Sequence, residues 1–210
     1  MIPKVILQTA KKPLPEYVVN MFLKQCPNFE YKFYDDEGIL KYFRENPLPE
    51  FPNIEAVFHS FLDGAHKSDL FRYYFLYVEG GFYIDSDAMV YDNLEDHVNQ
   101  YQFISVNSSV FPNTIFQGIL GAEPNNQIIY KALQTVYNID PSMLNRDYYL
   151  FIKDMYRILC LPEIAALNYK IKLYQEMEYG DDRALVLEKN QIYFVHFWKS
   201  KIIPLENPLS

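Results

Sequence analysis

The 210-residue sequence has few of the residue types that cross-link a chain or loosen it into linkers: 2 cysteines and 7 glycines. Cys26 and Cys160 are far apart and form neither a CxxC pair nor a Cys/His group of zinc spacing, so no disulfide framework or structural zinc site is indicated. No repeat, low-complexity stretch or glycine/serine linker divides the chain. We expect one domain with two reduced thiols.

Positive charge is also scarce. The chain has 19 lysines and arginines against 27 aspartates and glutamates, which gives a net charge of −8. That charge repels a phosphate backbone, so we expect no nucleic-acid partner. No apolar run approaches the about 18 residues that cross a bilayer, and no apolar segment follows a basic start. The sequence therefore predicts no membrane span, no secretion signal and a cytoplasmic location.

Apolar residues, in contrast, are abundant. Half of the residues are hydrophobic, with 19 tyrosines and 16 phenylalanines, which is enough for a sizeable core and excludes disorder as the main state. Strand and helix patterns alternate, which predicts an α/β fold with a mainly parallel sheet flanked by helices. The predicted strands are 4–8, 31–34, 82–84, 88–90, 102–106, 119–122 and 192–195, and the predicted helices are 16–25, 65–79, 126–138 and 143–161.

The tripeptide Asp85-Ser86-Asp87 lies at the end of a predicted strand. Carboxylates at positions i and i+2 of a strand point to the same side, so both can face one cleft. Oxygen ligands of this kind suit Mg²⁺ or Mn²⁺, whose open coordination positions substrate phosphates commonly fill. Taken alone, a D-x-D tripeptide is common by chance, and a solvated turn is then the simpler interpretation.

The preceding helix favours a site. Asp69 and Arg72 are i,i+3 neighbours on a helix that is apolar around most of its circumference. A surface ion pair, the alternative, would contribute less than about 1 kcal/mol. A buried charge is normally paired with an opposite charge or with a ligand. Because Gly80-Gly81 leads this helix directly into the acidic strand, we interpret the pair as ligand-facing.

Two segments together resemble a known family, the DXD-containing sugar transferases, which include yeast-type initiating mannosyltransferases, bacterial capsule transferases and clostridial glucosylating toxins. The segments are Ile2-Pro3-Lys4-Val5-Ile6-Leu7-Gln8 and Ala65-x-Lys67-Ser68-Asp69-x-x-Arg72-Tyr73-x-x-Leu76-Tyr77-x-x-Gly80-Gly81-x-Tyr83-x-Asp85-x-Asp87. The short, aromatic-rich chain also resembles a large-DNA-virus glycosyltransferase domain. The resemblance implies a single GT-A domain over residues 1–210, with a Rossmann-like nucleotide-binding part at about 1–90 and an acceptor and closing part at about 91–210.

The resemblance also implies roles for particular residues. Asp69, Arg72, Asp85 and Asp87 would be catalytic, with Asp69 and Arg72 on the donor sugar, Asp85 on the ribose or sugar, and Asp87 on the metal. The donor would further contact Leu7, Gln8, Thr9, Lys67, Ser86, Gln117, Trp198 and Lys199. Many members have His where Leu7 stands and Asn where Gln117 stands, which leaves the donor sugar open. For Lys67, a solvated surface lysine is an equal alternative.

His196 follows the last apolar strand. A single histidine is more often structural than a ligand, but in the family a histidine near this point closes over the metal and diphosphate. We therefore predict His196 as a ligand of Mn²⁺ (or Mg²⁺) beside Asp87 and Asp85.

The expected activity is transfer of a sugar from a nucleoside diphosphate sugar, by resemblance a UDP sugar, to a hydroxyl of a glycan or protein-linked acceptor, with retention at the anomeric carbon. A metal that bridges the diphosphate would stabilise the charge that grows on the leaving group. Two alternatives stay open. One is a haloacid-dehalogenase-like phosphatase, against which the mid-chain position of Asp85 and the residue Met89 count. The other is a non-catalytic nucleotide-sugar or glycan-binding module.

The last residues, Pro204 to Ser210, read as a loop rather than a capped element. The possibility that the chain is one domain of a longer polypeptide therefore also stays open.

Overall fold

The computed structural model describes residues 1–204, and the rest of the predicted terminal loop, 205–210, lies outside the described residues. The strands are β1 (Val5–Thr9), β2 (Glu30–Tyr34), β3 (Gly81–Ile84), β4 (Ala88–Val90), β5 (Phe103–Asn107), β6 (Ile115–Ala122), β7 (Ile171–Tyr179), β8 (Arg183–Glu188) and β9 (Gln191–His196). The α-helices are α1 (Glu16–Gln25), α2 (Asp36–Glu45), α3 (Ile54–Ser60), α4 (Gly64–Val78), α5 (Glu95–Val98), α6 (Gln127–Asn138), α7 (Leu150–Leu159) and α8 (Pro162–Ala165). A short 3₁₀ turn covers Pro141–Met143.

All nine described strands form one sheet in the order β2-β1-β3-β6-β5-β7-β8-β9-β4. The pairs β1–β2, β1–β3 and β5–β7 are parallel, and the other five pairs are antiparallel. The α/β class is confirmed, with a mixed sheet whose parallel pairs are these three. Short turns join β7 to β8 and β8 to β9, and such short connections can only link antiparallel neighbours.

The helices cover both faces of the sheet. Neighbouring residues of a strand point to opposite faces, and Ile6 and Leu7 accordingly belong to two separate buried clusters, as do Phe82 and Tyr83. One cluster contains buried residues of α2, α3, α4, α6 and α7, and the other contains those of α1. The sheet is thus the middle layer of three, and strands from both predicted parts of the chain share it. The predicted boundary near residue 90 stays a prediction.

Helix α4 is the central element of the first cluster. It begins where the Asp63 side chain accepts a hydrogen bond from the Ala65 backbone N–H at 2.9 Å, a standard N-cap. Residues 73–76 are all at most 1% exposed, so the helix is buried on every side over this turn. It ends at Val78, before the two glycines with positive φ. The predicted helix 65–79 is confirmed within one residue at each end.

Other predicted elements differ from the structure. The single helix predicted for 143–161 is wrong in its first third: Asp147 forms a local turn in which its carboxylate accepts from the Tyr149 N–H at 3.2 Å, and α7 begins only at Leu150, without a side-chain cap. The predicted strand 119–122 is the second half of the longer β6. Six elements of the structure were not predicted at all, namely α2, α3, α5, α8, β7 and β8.

Among the helices of residues 1–204, none combines the length and the apolar character needed to cross a bilayer.

The Tyr74 hydroxyl, at the centre of α4, connects this helix to the segment that follows α2. Tyr74 Oη donates to the Asn46 carbonyl at 2.6 Å and accepts from the Leu48 N–H at 3.0 Å, and its ring is fully buried. Tyr74→Phe leaves both backbone groups without a partner, so it should lower the free energy of unfolding by about 1–3 kcal/mol. Urea denaturation followed by circular dichroism measures this difference.

The matched control is Tyr77→Phe, one turn later on the same helix. The Tyr77 hydroxyl makes no hydrogen bond within residues 1–204, so its loss should change the free energy of unfolding by no more than about 0.5 kcal/mol. Equal effects of the two substitutions would contradict the assigned tether.

Candidate active site

The acidic tripeptide connects two strands of the sheet. Asp85, Ser86 and Asp87 lie between the end of β3 at Ile84 and the start of β4 at Ala88. Hydrogen bonds hold the backbone on both sides: the Asp85 N–H donates to the Gly118 carbonyl at 2.8 Å, and the Phe197 N–H donates to the Asp87 carbonyl at 2.9 Å. The two carboxylates therefore project from a fixed turn rather than from a free loop.

Gly118 on β6 is required by the position of the Asp85 carboxylate. A Cβ atom at residue 118 would lie 2.4 Å from Asp85 Oδ2 and 2.3 Å from the ring of Phe116. Both distances are far below van der Waals contact, so any side chain here would displace the carboxylate. Gly118 thus contributes to the site by leaving room for the Asp85 carboxylate.

Arg72 links the helix to the acidic turn. Its guanidinium is 3% exposed; Nε donates to the Ser68 carbonyl at 3.2 Å and Nη1 donates to the Gln117 carbonyl. Nη2 lies 3.5 Å from a carboxylate oxygen of Asp69 and 3.5 Å from one of Asp85. Burial alone would lower the pKa of Arg72, but Tyr83 and these two carboxylates raise it above its usual value. One buried cation therefore holds two of the predicted catalytic residues.

Tyr83 completes the support of Asp85. Its ring lies under the Arg72 guanidinium at 4.1 Å, and its hydroxyl donates to Asp85 Oδ1 at 2.7 Å. Thr9 Oγ1 lies 3.2 Å from the same hydroxyl. Burial raises the pKa of Tyr83, so the phenol keeps its proton and acts as a donor. Tyr83 belongs to the segment that resembles the family, but no role was predicted for it.

Two carboxylates of the site carry raised pKa values. Burial raises the pKa of Asp69, against the opposing charge of Arg72. Burial and the neighbouring charge of Asp85 raise the pKa of Asp87 to about 7, against the opposing effect of His196. A carboxylate that is destabilised in this way gains from a nearby cation.

The acidic turn offers two carboxylates, Asp85 and Asp87, to a metal ion. Asp85 and Asp87 both line the larger cavity described below. Within residues 1–204, no three or more histidine, cysteine, aspartate or glutamate side chains are grouped so that they could hold a metal ion. The turn thus fits an ion that takes two protein carboxylates and fills its other positions with phosphate oxygens and water, as Mg²⁺ and Mn²⁺ commonly do.

His196 is not assembled with the two aspartates into a ready ligand set. Its Nδ1 lies 3.1 Å from Glu176 Oε1, and its ring packs against that of Phe116 with centroids 4.4 Å apart and planes tilted by 30°. The Glu176 hydrogen bond and the charges of Asp87 and Glu176 raise the pKa of His196, although burial opposes them. The assignment of His196 as a metal ligand stays a prediction.

Two cavities meet at the acidic turn. The larger, about 800 Å³, is lined by Thr9, Lys67, Ser86, Asp87 and Lys199 among others. The smaller, about 230 Å³, contains Asp69, Gln117, Glu176 and His196 in a largely aromatic wall. Arg72, Asp85 and Trp198 border both cavities. A ligand in either cavity would therefore lie beside Asp85.

Two predicted donor contacts need correction. Leu7 is fully buried in the apolar core and lines neither cavity, because the strand alternation turns it towards the helix layer. Gln8 is also fully buried; its amide donates to the Asp85 carbonyl at 3.0 Å and accepts from Tyr31. Of the three residues at the end of β1, Thr9 alone lines a cavity.

The remaining predicted residues border the cavities with part of their polar groups in use. Lys67 Nζ pairs with Asp36 at 2.9 Å, and the Gln117 amide donates to the Ile115 carbonyl at 2.9 Å. Ser86 Oγ donates to the Lys201 carbonyl at 3.1 Å, and Trp198 Nε1 donates to the Asp181 carbonyl at 3.3 Å. These bonds hold the side chains in position. They do not show whether the side chains contact a nucleotide-sugar donor.

Comparison with known proteins identifies the region around the turn. Residues 15–104 match the family model described as "Glycosyltransferase sugar-binding region containing DXD motif". This region is therefore similar to the DXD-containing glycosyltransferases. The resemblance inferred from the sequence block is thereby confirmed.

Individual relatives agree with this family. Over 137 residues the chain is 28% identical to an uncharacterized glycosyltransferase of Acanthamoeba polyphaga mimivirus, a match that covers 61% of this chain and 53% of the relative. It is 26% identical over 144 residues to a mannosyl phosphorylinositol ceramide synthase of Saccharomyces cerevisiae, covering 67% of this chain and 36% of the relative. The chain thus spans about half or less of the length of the curated relatives it matches.

The fold also agrees with a solved structure titled PaToxG glycosyltransferase. The TM-score is 0.58 at 20% identity, and the match covers 80% of this chain and 72% of the other. The GT-A architecture expected for a DXD glycosyltransferase is therefore confirmed.

The raised pKa of Asp87 predicts a pH-dependent stability of the metal-free protein. Folding raises this pKa from 3.8 to about 7, so the folded state binds the proton more tightly than the unfolded state. The resulting stability is complete below about pH 4 and is lost as the pH rises through about 7. Asp87→Asn should therefore raise the free energy of unfolding at pH 8 and change it little at pH 4, as measured by urea denaturation with EDTA.

Asp96→Asn is the control, because it removes the same charge from an exposed helix residue. It should shift the stability by a similar small amount at both pH values. If Asp87→Asn behaved in the same way, Asp87 would have an ordinary carboxylate environment.

Proposed function

We propose that this protein transfers a sugar from a nucleoside diphosphate sugar to an acceptor hydroxyl, with Mn²⁺ or Mg²⁺ held at Asp85 and Asp87. The observation that carries the proposal is the fixed acidic turn, which opens into both cavities inside a region of the DXD family. The partial coverage of the relatives makes the activity of the whole protein part of this proposal.

The charge of the larger cavity supports a diphosphate ligand. Lys11, Lys67, Lys199 and Lys201 line this cavity together with Arg72, in a chain whose net charge is −8. Positive side chains gathered in one cleft of an acidic protein attract a polyanion locally. The volume of about 800 Å³ also lies in the usual range for ligands of nucleotide size. We assign the diphosphate to the lysine-lined end and the nucleoside to the part near Thr9.

The residues around the turn suit the chemistry of glycosyl transfer. A bound divalent ion would neutralise the charge that develops on the diphosphate as the sugar leaves. Lys199 at the cavity wall would stabilise the same charge, and donors fixed before the reaction do so without reorganisation. The Asp69 carboxylate can accept hydrogen bonds from sugar hydroxyls, while Arg72 and Tyr83 keep Asp85 in place. The acceptor would enter through the smaller cavity.

The donor has two candidates. The resemblance favours a UDP sugar with retention of configuration, and a glycan or protein-linked acceptor. Two relatives from Schizosaccharomyces pombe are named inositol phosphoceramide mannosyltransferases, and they are 28% and 29% identical to this chain. Those names favour a mannosyl donor instead. A panel that contains both UDP and GDP sugars distinguishes them.

The alternative functions make different predictions. A phosphatase of the haloacid-dehalogenase type would release phosphate from a phosphomonoester, and a binding module would hold the donor without turnover. The match of residues 15–104 to the DXD family counts against the phosphatase. The predicted cytoplasmic location and the absence of a nucleic-acid partner remain predictions.

The proposal is tested by thermal stabilisation with nucleotide sugars and Mn²⁺, followed by an assay of nucleotide release. A donor at 100 times its dissociation constant should stabilise the fold by about 2.7 kcal/mol. Asp87→Asn should abolish the Mn²⁺-dependent part of this stabilisation, because an amide is a much weaker ligand for a hard cation. Asp96→Asn serves as the control. Unchanged Mn²⁺ dependence in Asp87→Asn would contradict the metal assignment.

Binding of the sugar part of the donor can be distinguished from binding of its nucleotide part. Asp69→Asn removes a charged acceptor at the sugar end of the site, so it should weaken binding of the UDP or GDP sugar about tenfold or more, given about 1.5–3 kcal/mol for a charged hydrogen bond. Binding of the free nucleoside diphosphate should stay within about twofold of the wild type. Isothermal titration calorimetry measures both affinities, and equal losses for both ligands would refute the division.

A further inference from the structure

Glu176 is a buried charge to which the proposed reaction assigns no role. It lies on β7, its side chain is 2% exposed, and it borders the smaller cavity. Burying a carboxylate costs several kcal/mol unless hydrogen bonds and opposite charge compensate it. The partners of its two oxygens therefore indicate what it does.

One oxygen is committed to the loop between β5 and β6. Oε2 accepts from the Ser109 N–H at 2.9 Å, from Ser109 Oγ at 3.1 Å and from Ser108 Oγ at 3.2 Å. The other oxygen, Oε1, lies 3.1 Å from His196 Nδ1. Because a backbone N–H can only donate, the first oxygen must always accept, and the orientation of the carboxylate is fixed.

The sheet brings Glu176 and His196 together. Glu176 pairs with Val186 of β8 and His196 pairs with Ala184 of the same strand, so all four side chains share one face. Strand β8 lies between β7 and β9. The ring of Phe116 packs against the imidazole from another side, with the two ring planes tilted by 30°. Nε2 is then the remaining nitrogen, with no protein hydrogen bond in the part of the chain that the structure describes.

We propose that Glu176 is a positioning residue, which holds the proton of neutral His196 on Nδ1 and leaves the Nε2 lone pair free for a ligand of the site. A free lone pair can bind a divalent cation or accept a hydrogen bond from a substrate hydroxyl, whereas an Nε2–H group can only donate. The identity of that ligand rests on the proposed function, but the position of the proton does not.

Glu176→Gln reverses the arrangement with almost no change in shape. The Ser109 N–H still needs an acceptor, so the new amide must turn its oxygen towards Ser109 and its NH₂ group towards His196. Nδ1 then has to accept, and the proton of the neutral ring moves to Nε2. Glu178→Gln is the matched control, since it removes the same charge from an exposed position two residues along β7.

The decisive measurement is the long-range ¹H–¹⁵N NMR spectrum of the histidine rings, without metal or donor and at a pH where the imidazole is neutral. The His196 signal is assigned by its loss in His196→Gln. The wild type and Glu178→Gln should show Nδ1 protonated, and Glu176→Gln should show Nε2 protonated. Nε2–H in the wild type would overturn the proposal even if Glu176→Gln failed to fold, as would an unchanged tautomer in folded Glu176→Gln.

A second readout links the tautomer to the proposed reaction. The Mn²⁺ concentration for half-maximal activity should rise about 10–100-fold in Glu176→Gln, the range for residues that orient metal ligands, and should not change in Glu178→Gln. If the NMR spectra showed the expected tautomers but the protein had no transferase activity, the positioning role of Glu176 would be supported and the proposed function would be contradicted. An unchanged Mn²⁺ requirement after tautomer reversal would overturn the divalent cation as the ligand of Nε2.

Discussion

The arrangement of the site depends on one buried cation. Arg72 is almost completely excluded from solvent, yet its guanidinium touches α4, β6 and the acidic turn within a single side chain. A buried guanidinium without partners would be strongly destabilising. The fold must therefore bring Asp69, Asp85 and the Gln117 carbonyl to it, and Tyr83 beneath it. This requirement ties the orientation of the helix to the position of the carboxylates.

The same requirement explains how much the sequence could predict. Helix α4, the glycines after it and the acidic turn are contiguous in the chain, so local patterns predicted them, and the charged residues stood out against an apolar helix. Glu176 and the two serines that bind it are separated by about 70 residues and meet only through the sheet. Strand β7 was itself missed, because it buries the charged Glu176 and exposes Met177 and Tyr179, so its hydrophobic pattern does not follow its burial.

Local polar chemistry accounts for two further differences. The predicted strand 31–34 ends where β2 ends, but the helix after it was not predicted: the Asp35 side chain accepts from the Gly38 N–H at 2.8 Å and begins α2. Leu7 was assigned to the donor by resemblance, and the alternation of β1 turns it into the core instead. An N-cap and a turn have similar compositions. The direction of a strand residue depends on register, which only the pairing of β1 with β2 and β3 fixes.

Charge distribution connects the fold to the proposed chemistry. The chain is acidic overall, and the turn adds two carboxylates beside each other, one of which is so poorly solvated that its pKa lies near 7. Arg72 neutralises only part of this charge, because its guanidinium also pairs with the Asp69 carboxylate. The lysines of the larger cavity lie where a polyanion would bind, and a divalent ion between that polyanion and the turn would satisfy both sets of charges. Metal and donor should therefore bind with positive cooperativity: each removes the electrostatic cost that the other meets alone, and the coupling must be the same in both directions.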